Sequence, residues 1–157
     1  MNHDLPKLGE LAEALRSGAT TSVALVEAAL EHAASADELG IFLDLDADAA
    51  LDAARAADSA FARGEDLGPL HGIPVAIKDN ICVAGQPLTC ASRFLDGFVP
   101  PDHATVVRRL LEAGAVCIDE EQRGAFGAFS GGVGVVGGVV KRVTLNPVAA
   151  PSAILNQ

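Results

Sequence analysis

The stretch Gly68–Asn80, GPLHGIPVAIKDN, places the tightest limits on what this chain can fold into. Gly68-Pro69 and Gly72-Ile73-Pro74 punctuate the approach, and Val75, Ala76 and Ile77 then run directly into Lys78, Asp79 and Asn80. Turn residues followed by a short unbroken apolar run predict a buried strand over Ile73–Asn80 that carries a lysine near its end. Burial disfavours the charged form of an amine. Lys78 therefore either carries its ammonium out to solvent or to a carboxylate such as Asp79, or accepts a proton, which makes it a candidate general base.

On the N-terminal side of that stretch the periodicity is helical. Residues 7–17 place Leu8, Leu11, Ala12 and Leu15 on one face and stop at Ser17-Gly18. Thr21 or Ser22 can cap a second helix, whose stripe is Val23, Val26, Ala29, Leu30 and Ala33. Ile41–Leu45 reads as a short strand. Asp46–Arg63 is alanine-rich and acidic at its start, which suits a helix N-terminus, and Gly64 ends it. On the C-terminal side, Val83–Pro101 is dominated by turn residues and reads as a long ordered loop. His103–Ala113 returns to helical spacing through Val106, Val107, Leu110 and Leu111, with Gly114 as its stop, and Val116–Ile118 is a second strand. A helix between two short apolar runs predicts a parallel strand pair. The expected fold class is α/β, with N-terminal helices packed on a small, mostly parallel or mixed sheet.

Charge is distributed unevenly. Residues 1–68 hold fourteen Asp and Glu against four Lys and Arg, whereas residues 69–157 hold seven of each. The leading helices lack the basic clusters that phosphates attract, so nucleic acid and anionic membranes are not expected partners. Half of the residues are hydrophobic, alanine supplies much of that share, and Trp and Tyr are absent. A shallow, closely packed core follows. Cys82, Cys90 and Cys117 are odd in number and have no CxxC spacing, which favours a reducing compartment over a disulfide framework or a zinc site. Met1-Asn2-His3-Asp4 has no basic start and no apolar run behind it, so no signal peptide is expected and the expected location is the cytoplasm.

The run HGIPVAIKDNI resembles the start of the core of the amidase signature family. The following CVAGQPLTCASRFLDGFVPPDHATVVRRLLEAGAV is similar to that family's next segment, and the opening helices and GEDLGPLHG are similar to those of bacterial amidases and of the A subunit of aminoacyl-tRNA amidotransferase. The resemblance spans roughly residues 5–118 and implies a part of the amidase-signature fold, its N-terminal part. It also implies hydrolysis of a carboxamide C–N bond by a Ser-cis-Ser-Lys triad in which Lys78 is the lysine. In that mechanism the lysine takes a proton from the middle serine, which relays it from the nucleophilic serine, while backbone N–H groups of a glycine-rich loop hold the oxyanion. The implied substrate is a small amide, and no cofactor or metal is implied.

Beyond the second strand the likeness falls away. The family continues into Gly-Lys-Thr-Asn, whereas this sequence has Asp119-Glu120-Glu121-Gln122. Leu145-Asn146-Pro147 echoes a family Asn-Pro, but the Gly-Gly-Ser-Ser-Gly-Gly-Ser run that supplies the two serines does not occur. Ser92 and Ser130 sit among turn residues, and Ser152 lies in Pro151-Ser152-Ala153. None of them is marked as a nucleophile, and Cys82 or Cys90 reads more simply as a packing residue. Gly132, Gly134 and Gly137 spell GxGxxG, yet no Asp or Glu follows Glu121 to hold a ribose, so a dinucleotide site is rejected. Gly124–Val140 is uncharged but shorter than the roughly 20 residues a membrane-crossing helix needs. Seven glycines weaken it further as a helix, and it reads as a loop or an edge strand.

The expected organisation is one partial amidase-like domain over 1–157, with N-terminal helices in 1–67, a strand-loop-helix-strand core in 68–118 and a divergent glycine-rich tail in 119–157. Two functions fit. One is a truncated hydrolase that carries the lysine and takes its serines from a longer or second polypeptide. The other is an inactive amidase-like module that binds a partner through exposed sheet surface. In either case the partner is a second copy or a complementing chain, and the isolated chain is expected to be nearly silent, because triad members act as a unit.

Overall fold

A computed structural model describes residues 7–35, 45–90, 92–119 and 134–135. Helix α1 spans Leu8–Ser17, α2 Ser22–Ser35 and α3 Ala47–Ala62. Strand β1 is Pro74–Ile77, α4 is Thr105–Glu112, β2 is Val116–Asp119 and β3 is Gly134–Val135. The sheet order is β2-β1-β3, with β1 parallel to β2 and antiparallel to β3. The α/β class and the small mixed sheet are as the sequence pattern requires. Strand β1 is shorter than Ile73–Asn80, so Lys78 lies one residue past its end. Of the expected strand Ile41–Leu45, residues 41–44 lie outside the described residues, and Leu45 is not in a strand.

Both faces of β1 are covered, which explains why its four residues are all buried rather than alternating. Ala76, Val116 and Ile118 share a face with Val26 and Ala29 of α2 and Ala50 and Ala54 of α3. Val75 and Ile77 pack on the other face with Val107 of α4 and Ala115. The register Pro74↔Val116 to Ile77↔Asp119 sets these same-face residues opposite one another. A third cluster joins Leu11, Ala12 and Leu15 of α1 to Ile73. The buried stripe of α3 is Ala50, Ala54, Ala57 and Ala60. Side chains this small permit close helix packing, and Ala50 and Ala54 share their cluster with Val26 and Ala29 of α2.

Side-chain caps close the starts of α2 and α3, and one of them ties α3 to α2. The Thr21 hydroxyl accepts the Ala24 N–H at 3.1 Å, and Asp46 accepts the Ala49 N–H at 2.9 Å. Asp58 of α3 reaches across to the start of α2, where its two carboxylate oxygens accept the Ser22 N–H at 2.6 Å and the Val23 N–H at 3.1 Å. The buried Ser22 hydroxyl donates in turn to the Gly72 carbonyl at 2.7 Å, just ahead of β1. A carboxylate over the first turn also meets the positive end of the helix dipole. Asp58→Ala is therefore expected to cost about 2 kcal/mol, the range of a lost cap with charged hydrogen bonds. Asp58→Asn, which keeps one acceptor, should lose less, and urea unfolding of the two variants checks the order.

Candidate active site at the carboxyl end of the first strand

Lys78 is half-buried and stands where β1 gives way to a turn. Its carbonyl accepts the Ile81 N–H at 2.9 Å, which closes that turn. The next residue, Asp79, is buried, and its carboxylate accepts the Thr89 N–H at 2.6 Å and the Thr89 hydroxyl. The Asp79 carbonyl accepts the Cys90 N–H at 3.2 Å. A carboxylate withdrawn from water has to recover its hydration from such donors, and Thr89 supplies both.

The remainder of the loop is stapled by backbone bonds. Leu88 N–H reaches the Phe98 carbonyl at 3.0 Å, Gly85 N–H the Pro100 carbonyl at 3.1 Å, and Ala104 N–H the Cys82 carbonyl at 2.8 Å. His103 Nδ1 accepts the Ala84 N–H at 3.1 Å. Among the described residues of the loop expected over Val83–Pro101, which exclude Ala91, order comes from hydrogen bonds rather than from repeating structure, with one short 3-10 turn at Arg93–Leu95. Among the described residues no group of His, Cys, Asp and Glu could hold a metal ion.

The Ser92 hydroxyl accepts the Phe94 N–H at 3.3 Å and caps the 3-10 turn. Ser130 and Ser152 lie outside the described residues. Cys117 is in β2, and Cys82, Cys90 and Cys117 are all thiols rather than halves of a disulfide. Cys90 has a backbone φ of 48°, a left-handed conformation uncommon for a residue with a side chain. Local desolvation first, and then the Asp79 carboxylate and Cys82, push its thiol above the ordinary value, although the residue as a whole is exposed. The thiolate is the reactive form, so a raised value works against a nucleophilic role. Alkylation of Cys90 by iodoacetamide should become appreciable only at a higher pH than alkylation of free cysteine, as peptide mapping across a pH series would show.

Residues 24–149 match the family described as Amidase. The chain belongs to the amidase signature family. Among relatives, it is 53% identical over 106 residues to the A subunit of glutamyl-tRNA(Gln) amidotransferase from Chloroflexus aurantiacus, covering 67% of this chain and 22% of that one. Against the corresponding protein of Trichormus variabilis the identity is 43% over 115 residues, covering 73% and 24%. In three dimensions it is similar to a peptide amidase from Stenotrophomonas maltophilia, with a TM-score of 0.68 and 35% identity over 76% of this chain and 25% of that one. The chain thus spans about a quarter of the length of these amidase-family relatives. What it shares with them is a part of the amidase-signature fold. Among the described residues no helix is long and apolar enough to cross a membrane.

Two contacts of this amidase-family chain are not signalled by its sequence pattern. The Asp79–Thr89 pairing joins positions ten residues apart across an irregular loop, where no periodicity signals contact. The only available hint is the placement of an acid directly after Lys78. The Asp58 cap spans 36 residues between two helices, and only helix packing brings its ends together.

Proposed function

We propose that Lys78 is the proton acceptor of a carboxamide C–N hydrolase whose reacting hydroxyl groups come from outside these 157 residues, on a longer polypeptide or a complementing chain. The observation that carries this reading is the seat of Lys78. It is half-buried at the carboxyl end of a strand whose parallel neighbour ends beside it, and open α/β sheets collect their ligands at that end. Membership of the amidase signature family supports the reaction class. The names of the relatives, a peptide amidase and one subunit of an amidotransferase, support an amide substrate and work alongside other chains.

In such a reaction the amine draws a proton from a relaying hydroxyl, and the nucleophilic oxygen attacks the carbonyl carbon. The proton then passes to the leaving nitrogen as the C–N bond breaks, which leaves an ester on the nucleophilic oxygen, and water cleaves that ester to release the acid and restore the hydroxyl. No cofactor enters. The same reading treats 1–67, 68–118 and 119–157 as helical, core and divergent parts of one domain. A second reading, a catalytically inactive module that binds a partner, is favoured by the exposure of Phe94 (94%), Phe98 (43%) and Val99 (47%).

Ammonia release from small aliphatic and aromatic primary amides tests the proposal, with the purified chain alone and with a polypeptide bearing the serine run of a relative. Turnover that disappears in Lys78→Ala supports the hydrolase reading. Turnover that survives the substitution removes Lys78 from the chemistry. Stable association with the serine-bearing polypeptide and no turnover in either protein supports the partner-binding module.

A further inference from the structure

The Asp79 carboxylate commits both of its oxygens to one residue. Oδ1 accepts the Thr89 N–H at 2.6 Å and Oδ2 accepts the Thr89 hydroxyl, while the Asp79 carbonyl holds the Cys90 N–H at 3.2 Å. Asp79 is only 6% exposed, so water competes little for these bonds. One residue earlier, the Lys78 carbonyl is held by the Ile81 N–H at 2.9 Å. On the other side, Ile77 is paired in register with Asp119 of β2. The backbone on both sides of Lys78 is therefore anchored, by the sheet before it and by the Asp79 braces after it. An amine used in proton transfer has to be held to within a fraction of an ångström, and groups that never meet the substrate commonly do the holding.

We infer that Asp79 and Thr89 form a clamp that positions the Lys78 amine. Both are positioning residues: they fix the backbone from which Lys78 projects and do not touch the reacting atoms. The inference rests on the reading of Lys78 as the proton acceptor, and its test is independent of turnover.

The chain has three lysines, Lys7, Lys78 and Lys141, so competitive acetylation of the full chain with acetic anhydride can be followed site by site by peptide mass spectrometry. Exposed Lys7 serves as the internal reference. Thr89→Val keeps the shape of the side chain and removes the hydroxyl donor. Loss of one charge-assisted hydrogen bond should raise the opening of the loop, and with it Lys78 labelling relative to Lys7, at least about tenfold. Thr89→Ser keeps the donor and should label as the wild type does. Asp79→Asn should raise the ratio at least as far as Thr89→Val does; where Asp79→Asn fails to fold, the two Thr89 variants decide. A wild-type ratio in Thr89→Val overturns the clamp, as does a ratio in Thr89→Ser as high as that in Thr89→Val. A failed amide assay with an intact labelling response rejects the proton-acceptor role alone, and the reverse pattern rejects the clamp alone.

Discussion

On the proposed reading, Lys78→Ala, in the chain combined with a polypeptide bearing the serine run of a relative, is expected to lower amide turnover by at least about a thousandfold. Removing one member of a nucleophile-and-base set disables the others, since the hydroxyl has no acceptor for its proton as it attacks. The loss should fall on kcat and leave KM nearly unchanged, because a base that meets the substrate's reaction only through a relaying hydroxyl contributes little to ground-state binding. Lys78→Arg should not restore the rate. A guanidinium keeps its proton throughout the accessible pH range, so it preserves charge and abolishes acceptance. Initial rates of ammonia release for the wild type and the two variants measure both effects. A kcat for Lys78→Arg close to that of the wild type would mean that Lys78 acts through its charge and not as a base.

Gly114→Ala is expected to be the most damaging single-methyl change in the described fold, at about 3 kcal/mol or more. Gly114 lies in the connection from α4 into β2 with φ of +79°, and an added Cβ would stand 2.8 Å from His71 Cδ2 and 3.0 Å from His71 Cα. Neither atom can retreat easily. The His71 ring is buried and stacked on Phe61 with centroids 4.3 Å apart, and its Nδ1 accepts the Leu67 N–H at 3.2 Å. The backbone is held by the Gly72 N–H, which donates to the Gly114 carbonyl at 2.8 Å. Thermal unfolding followed by circular dichroism should show a drop in Tm of about 10 °C for a chain of this size. Gly64→Ala is the control. Its φ is similar at +77°, but the added carbon meets nothing within 4 Å, so only the backbone term of about 1 kcal/mol remains. Equal losses in the two variants would show that the approach to His71 has no energetic weight.

Helix α1 was legible because Leu11, Ala12 and Leu15 recur at helical spacing and are the residues it buries. For β1 and β2 the apolar runs sufficed, since a parallel pair covered on both faces reads as an unbroken hydrophobic stretch. The boundaries at Lys78 were less legible. Sequence extends the strand through Asn80, whereas the turn closed by the Ile81 N–H ends it at Ile77. Strand β3, Gly134–Val135, falls at the sheet edge within Gly124–Val140, which the sequence leaves open between a loop and an edge strand; neither composition nor alternation marks which two of its residues pair.

Lys78 stands out in the string of residues because it is a charged side chain directly after an unbroken apolar run. The strand pair and its helical covers follow from local periodicity for a related reason: neighbours in sequence are neighbours in those elements. The anchoring of Lys78 belongs to the tertiary structure. Asp79 meets Thr89 and Asp58 meets the start of α2 only after the loop and the helices have packed. Which donor satisfies a buried carboxylate depends on distances that chain order does not encode.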